Sequence, residues 1–185
     1  MKIHTTLKPI LGVIIFISST VLAAAGGISG GGGEVICPDR PTYYQDPEHI
    51  KDVIEQSKSK LVSYIDYKKK QLLSDELEHS EKEIIQKIFE PNKMNIHEAV
   101  NRFSVYIDDD HPCYTSDRQP VDGSIYSKKP NSICISSATI ARKVHFNQVS
   151  KQSTALMLHE YSEVVGLTEA EAVTLQKKAL EEIPQ

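Results

Sequence analysis

The chain has 185 residues, a formal net charge of −4 and hydrophobic residues at 39% of its positions. This length and composition suit one globular domain with a single core. The acidic balance argues against a general nucleic-acid-binding surface, because phosphate binding requires clustered Lys and Arg side chains.

Residues 1–25 have the pattern of a cleavable secretory signal peptide. Lys2 and Lys8 supply the positive start, residues 10–22 supply a short apolar core, and residues 23–25 form an Ala-Ala-Ala cleavage site. This segment contains two lysines and no acidic residue, so its removal changes the net charge from −4 to −6. We therefore expect a secreted or periplasmic protein without a membrane span after cleavage, since no other apolar run is long enough.

Residues 26–34 follow as a glycine-rich segment, Gly-Gly-Ile-Ser-Gly-Gly-Gly-Gly-Glu. Such a composition buries too little apolar surface to fold and behaves as a flexible linker. The remaining residues, 35–185, are predicted to form a single domain.

Two helices are predicted in the first half of this domain. Apolar residues recur with a helical period over residues 47–73, and Asp46 is a candidate N-cap. A second helix is predicted over residues 75–89, before a proline ends it. The three lysines at 68–70 are interpreted as part of a solvated face.

The pattern changes to strands after residue 102. Apolar and polar residues alternate over 103–107 and again over Ser132–Ser136. We predict a short antiparallel sheet from these runs. The long segment between them, residues 112–131, is rich in turn-forming residues.

Three cysteines occur, at positions 37, 113 and 134. In an oxidising compartment Cys113 and Cys134, which flank the turn-rich segment, are the favoured disulfide pair. Cys37 could instead pair with either of them, and the sequence alone leaves the three pairings open. Zinc binding by the cysteines is disfavoured because no C-x-x-C spacing is present.

Two more helices are predicted at the end of the chain. The first covers residues 149–165 and ends at Gly166, a typical C′ residue. The second covers Glu169–Glu182, with Thr168 and Glu171 matching a capping box. Glu171 is therefore interpreted as a helix-start acid rather than as a ligand.

The junction between these two helices carries the strongest functional signal. His159 and Glu163 are four residues apart, so they lie on one face of a helix, with Glu160 beside them. Gly166 and Glu169 follow seven and ten residues after His159, and a glycine at that place lets the chain turn back. Imidazole and carboxylate groups placed in this way are suited to bind a divalent metal.

This stretch, H-E-x-x-E-x-x-G-x-x-E, resembles the metzincin pattern of zincin metallopeptidases, H-E-x-x-H-x-x-G-x-x-H/D. The resemblance implies that His159, Glu163 and Glu169 bind the metal and that Glu160 is the general base that activates water. It also implies an α+β, mostly helical zincin-like domain whose sheet precedes the metal-binding helix. By the same analogy residues 133–136 would line the substrate cleft.

Two ligand positions depart from the pattern, since glutamates stand where the family has histidine or aspartate. One histidine with two carboxylates is a harder and more anionic ligand set than two histidines with one carboxylate. We therefore expect zinc, with Mn²⁺ or Fe²⁺ as alternatives.

Three functional interpretations follow. The first is an exported metallopeptidase-like protein acting on a peptide or protein. The second is a catalytically inactive zincin-like protein that binds a partner or a cell-envelope component, with Glu163 as the disabling change. The third is a helical secreted protein in which the H-E-x-x-E stretch is only an amphipathic helix surface.

Overall fold

A computed structural model describes residues 33–36 and 45–184 of the chain. The predicted signal peptide, most of the predicted linker and Cys37 lie outside the described residues. Among the residues that are described, no helix combines the length and the apolar character needed to cross a bilayer.

The described part of the chain contains six α-helices, one short 3₁₀ helix at Phe146–Gln148, and five short strands. The helices are α1 Pro47–Ser74, α2 His79–Ile88, α3 Ile96–Arg102, α4 Ser137–Lys143, α5 Val149–Val164 and α6 Glu169–Glu182. The strands are β1 Ser104–Asp108, β2 Cys113–Tyr114, β3 Pro120–Val121, β4 Gly123–Ser124 and β5 Ser132–Ser136. The coarse α+β class predicted from the sequence is therefore confirmed.

Helix ends follow local capping chemistry. Asp46 caps α1, accepting a hydrogen bond from the backbone N–H of Glu48 at 3.0 Å. Asp75 closes α1 in the left-handed conformation, with φ of 61°. The prediction that the second helix starts at residue 75 is therefore wrong, because that residue terminates α1 and α2 begins at His79. Helix α3, which the sequence analysis missed, begins with a capping box formed by Asn95 and Glu98.

The main sheet is mixed, with strand order β1-β5-β4. Strand β1 runs parallel to β5, and β4 runs antiparallel to it. The prediction of a purely antiparallel sheet is wrong, because the long connection over residues 109–131 carries the chain across before β5. β5 is also the central strand, so the edge beside α5 is β4 and not residues 133–136.

Helix α5 is the centre of the fold. It packs against α1 and α6 and touches both β4 and β5. Residues 152–162 are all buried, including several small polar residues. Two of their hydroxyl groups donate to carbonyls of the same helix: Thr154 to Ser150 at 2.7 Å and Ser162 to Leu158 at 2.6 Å. A helix of modest hydrophobicity can therefore occupy the core.

Lys68, at the far side of α1, is also buried, with only 1% of its surface exposed. Its ammonium group lies 2.6 Å from a carboxylate oxygen of Glu81 on α2 and 2.6 Å from one of Glu182 on α6. The interpretation of residues 68–70 as a uniformly solvated face is therefore wrong for Lys68, whose ion pairs join three helices.

The predicted disulfide between Cys113 and Cys134 is confirmed, with the two Sγ atoms 2.08 Å apart and the Cα atoms 5.9 Å apart. It links β2 to the central strand β5 and thereby holds the turn-rich connection against the sheet. Cys113, Cys134 and Val121 form a small apolar cluster of their own.

Candidate metal centre

Helix α5 presents the first two candidate ligands from one face. His159 and Glu163 are one turn apart, and the Nε2 atom of His159 lies 3.9 Å from Oε2 of Glu163. This proximity is the consequence of the four-residue spacing that the sequence showed.

The third candidate ligand, Glu169, belongs to α6, which follows α5 after a tight turn. Gly166 has φ of +97°, a conformation that strongly favours glycine, and its N–H donates to the carbonyl of Glu163. Thr168 then caps α6, so that Glu169 is its first residue. The result places Oε2 of Glu169 3.6 Å from Nε2 of His159.

These three side chains form a group that could hold a metal ion. One ligand atom from each of His159, Glu163 and Glu169 lies within 4.8 Å of the other two. His159 is fully buried, the side chain of Glu163 is 8% exposed and that of Glu169 is 24% exposed. The cluster therefore reaches solvent on the side of Glu169.

The polar atoms at the buried end of this cluster lack ordinary partners. Among the described residues, none makes a hydrogen bond to Nδ1 or Nε2 of His159, or to Oε2 of Glu160. Burying such groups without a partner costs roughly 1–3 kcal/mol each. Buried polar atoms without partners are a feature expected of a ligand-binding site.

Glu160 is fully buried beside the cluster. Its Oε1 atom accepts a hydrogen bond from the backbone N–H of Gly33 at 2.8 Å, and the backbone N–H of Ile125 also donates to its carboxylate. Burial and then the negative charge of Glu163 raise the pKa of Glu160 well above its usual value, although these two backbone donors oppose the rise. Oε1 is thus held by backbone donors, whereas Oε2 has no hydrogen-bond partner among the described residues.

The pKa of Glu163 is raised to about 8, first by burial, then by repulsion from Glu169 and by the hydrogen bond between the two carboxyl groups. Two carboxylates this close cannot both ionise easily without a compensating positive charge. A divalent cation bound between the two carboxyl groups would supply that charge and would lower the pKa of both.

Glu171 is excluded from this group, as the sequence analysis expected. It forms the capping box with Thr168 and an ion pair with Lys87 of α2. The Lys87 ammonium group and the backbone N–H of Thr168 lower the pKa of Glu171 to about 2. His159 and Glu160 are fully buried, so this part of the motif does not lie on an exposed face of α5.

The contacts made by the segment before α1 could not be predicted from the sequence. Residues 33–36 lie against α5 and the edge of β4, although positions 33 and 34 were assigned to the flexible linker. The contacts are made chiefly by backbone atoms, and a backbone N–H leaves no signature in the sequence. Gly33 in particular is indistinguishable from its neighbours in the glycine run.

No protein-family model matches this chain, and no curated protein or solved structure is significantly similar to it. What can be stated of its function therefore depends on the geometry and chemistry of its own residues.

Proposed function

We propose that this chain is an exported metal-dependent peptidase with a zincin-like site. In this proposal His159, Glu163 and Glu169 hold a divalent cation, and Glu160 is the general base. The observation that carries the proposal is the fully buried imidazole of His159, whose nitrogens have no hydrogen-bond partner among the described residues while two carboxylates face it within 4 Å.

The donor set fits a divalent cation. One neutral imidazole and two carboxylates balance a charge of +2, which removes the repulsion between Glu163 and Glu169. Two side chains come from one rigid helix and the third from the first turn of the next, so little conformational freedom is left to lose on binding. Zinc accepts these donors, and the carboxylate-rich set also suits Mn²⁺ or Fe²⁺.

A cation held there would act as a Lewis acid toward a peptide carbonyl and toward water. Oε2 of Glu160 takes the proton from the attacking water, whose oxygen forms the new bond to the carbonyl carbon. The proton then passes from Glu160 to the peptide nitrogen as the C–N bond breaks, giving a carboxylic acid and an amine.

The order of the elements around the site is compatible with this proposal. A small sheet precedes α5 in the chain, and its edge strand β4 leads directly into Ile125, whose backbone contacts Glu160. The disulfide between Cys113 and Cys134 suits an oxidising, extracytoplasmic compartment.

The direct test is the metal content of protein purified without chelator. We expect close to one equivalent of a divalent metal, and none in His159→Ala. EDTA should lower the melting temperature of the wild type and leave that of His159→Ala unchanged, because a ligand bound only by the folded state stabilises it by mass action. The matched control is Glu171→Gln, which alters an acid two residues from Glu169 and should keep the metal.

Catalysis is tested separately with a peptide library. Glu160→Gln should keep the metal and lose hydrolysis, since the amide cannot take the proton. Metal-free wild-type protein with the same melting temperature in EDTA and in zinc would disprove the metal site. Metal-loaded wild-type protein that cleaves no peptide would instead support the inactive, binding-only alternative.

A further inference from the structure

Residues 33–36, which we call the docked segment, lie in a groove between α5 and the edge of the sheet. The carbonyl of Gly33 accepts hydrogen bonds from the backbone N–H groups of Asp122 at 3.2 Å and Gly123 at 2.9 Å. The N–H of Gly33 donates to Glu160 at 2.8 Å. The segment is therefore attached at the proposed catalytic base itself.

Two buried glutamine side chains make further hydrogen bonds to the backbone of the docked segment. The amide of Gln152 on α5 accepts from the N–H of Ile36 at 3.2 Å and donates to the carbonyl of the same residue at 2.7 Å. Gln176 on α6 donates to the carbonyl of Glu34 at 2.8 Å. All of these hydrogen bonds are made to main-chain atoms of the segment, and every peptide has such atoms.

Side-chain selection is confined to two positions of the segment. Val35 is buried against the main core, and its N–H donates to the carboxylate of Asp122 at 3.0 Å. Asp122 is itself fully buried and held by Lys143 at 2.9 Å. The side chain of Glu34, in contrast, is exposed.

The position of Gly33 has no room for a side chain as the groove stands. A Cβ atom there would come within 2.6 Å of a methyl group of Leu156, 2.7 Å of Oε1 of Glu160 and 3.1 Å of Cδ2 of His159. Separations below 3.0 Å force something to move. A larger residue at this position would have to displace the ends of the Leu156 and Glu160 side chains, so the groove as it stands favours glycine.

We propose that the docked segment is an intramolecular occupant of a peptide-binding groove. The groove accepts an extended peptide that carries glycine beside Glu160 and an apolar residue two positions later, and the segment must leave before such a peptide can enter. This inference deepens the proposed function, on which it rests, because it names the substrate class that the groove would present to His159 and Glu160.

The test measures binding of the labelled, end-capped tetrapeptide Gly-Glu-Val-Ile to the full chain by fluorescence anisotropy, in EDTA to prevent hydrolysis. Gly33→Val and Val35→Asp are substitutions in the docked segment itself, and each should weaken its binding to the groove. Both variants should bind the peptide roughly tenfold or more tightly than the wild type, because the tethered occupant competes at a high effective concentration. Glu34→Ala, which changes only an exposed side chain, should behave like the wild type.

Two further measurements sharpen this result. The peptide Val-Glu-Val-Ile should not bind, because its first side chain meets Leu156 and Glu160. Adding Gln152→Ala to Gly33→Val should abolish binding of the glycine peptide, since the clamp on the main chain is lost.

Equal and weak peptide binding by the wild type, Gly33→Val and Val35→Asp would overturn the inference. Loss of cooperative unfolding in both variants would overturn it as well, because a segment that folding requires is not a displaceable occupant. The assay contains no metal, so it tests the groove independently of the metal site. Peptide binding in this assay, together with no metal in protein purified without chelator, would disprove only the proposed function. Metal binding without peptide binding would disprove only the groove.

Discussion

The molecule buries two clusters of charged side chains, and they differ in how their polar atoms are satisfied. Around Lys68, one ammonium group meets the carboxylates of Glu81 and Glu182 and the side-chain oxygen of Gln71, all within 3.0 Å. Around His159, two carboxylates converge on a ring whose nitrogens have no hydrogen-bond partner among the described residues. In the first cluster Lys178 also lies within 4.0 Å of Glu81 and Glu182, so two ammonium groups match two carboxylates. In the second cluster, buried ring nitrogens of His159 lack a hydrogen-bond partner among the described residues.

This difference predicts a structural role for the first cluster and a binding role for the second. A complete ion-pair network holds helices together and needs no ligand. Buried donors and acceptors without partners destabilise the folded protein. A ligand that bound them would therefore raise the free energy of unfolding. The comparison makes opposite predictions for substitutions in the two clusters.

Replacing Lys68 should produce the largest loss of stability. Lys68→Met removes the cation from between Glu81 and Glu182, and breaking a buried ion pair in this way costs about 3–5 kcal/mol. Urea denaturation should show this as a lower midpoint. Lys70→Met, two residues away on an exposed position of α1, should change the free energy of unfolding by less than about 0.5 kcal/mol.

The metal-free protein should lose stability as the pH rises. The pKa of Glu163 is about 8 in the folded state against 4.5 as its ordinary value. The folded state therefore holds this proton more tightly, so its contribution is fully present below about pH 4.5 and is lost as the pH rises through about 8. After allowance for partial exposure of the site, we expect a decline on the order of 2 kcal/mol.

Thermal denaturation in EDTA between pH 5 and pH 8.5 measures this decline. Glu163→Gln, a neutral side chain of the same shape, should show a smaller pH dependence across that range, and saturating metal should do the same for the wild type. An unchanged slope in Glu163→Gln would assign the pH dependence to other groups.

Restoring histidine at position 163 tests which functional class the site belongs to. Glu163→His replaces an anionic donor with a neutral one, and we expect zinc affinity to rise about tenfold, or about 1.4 kcal/mol. In an inactive binding protein the substitution should create peptide hydrolysis that Glu160→Gln then abolishes. In an enzyme adapted to a His-Glu-Glu set it should shift the metal preference and lower the native activity.

Competition with a chromogenic chelator and a peptide-library assay provide the two measurements for Glu163→His. If neither zinc affinity nor hydrolysis changes, the side chain at 163 does not contact a metal and the proposed ligand set fails.

The smallest change in stability should come from replacing His159 in the metal-free protein. In EDTA, His159→Leu replaces an unsatisfied polar ring with an apolar side chain, so the free energy of unfolding should stay the same or rise by about 1 kcal/mol. This outcome contrasts with that of Lys68→Met. A loss of stability from His159→Leu in EDTA would show that the ring is held by protein contacts rather than reserved for a ligand.

Elements defined by local chemistry were predicted well from the sequence. Strand β5 and helix α6 have the predicted bounds, and α5 ends one residue before its predicted end. In each case the signal is short-range: alternation over five residues, a capping box at Thr168, or glycine at 166. The candidate ligands His159 and Glu163 follow from the same kind of signal, since helical spacing alone puts them on one face.

Elements that depend on distant partners were predicted poorly. The parallel pairing of β1 with β5 is a property of two segments more than twenty residues apart, and neither strand encodes its partner's direction. Lys68 is indistinguishable in the sequence from Lys69 and Lys70, and only the approach of α2 and α6 determines which of the three is buried.

The sequence by itself determined the spacing of the candidate metal ligands, because the three residues lie within eleven positions and depend on one helix and one glycine turn. Tertiary structure alone decided that this stretch is buried, that Oε1 of Glu160 is occupied by backbone donors, and that residues 33–36 lie beside it. Those features join residues more than thirty positions apart, chiefly through main-chain hydrogen bonds, and the backbone N–H and C=O groups are the same at nearly every position of any sequence.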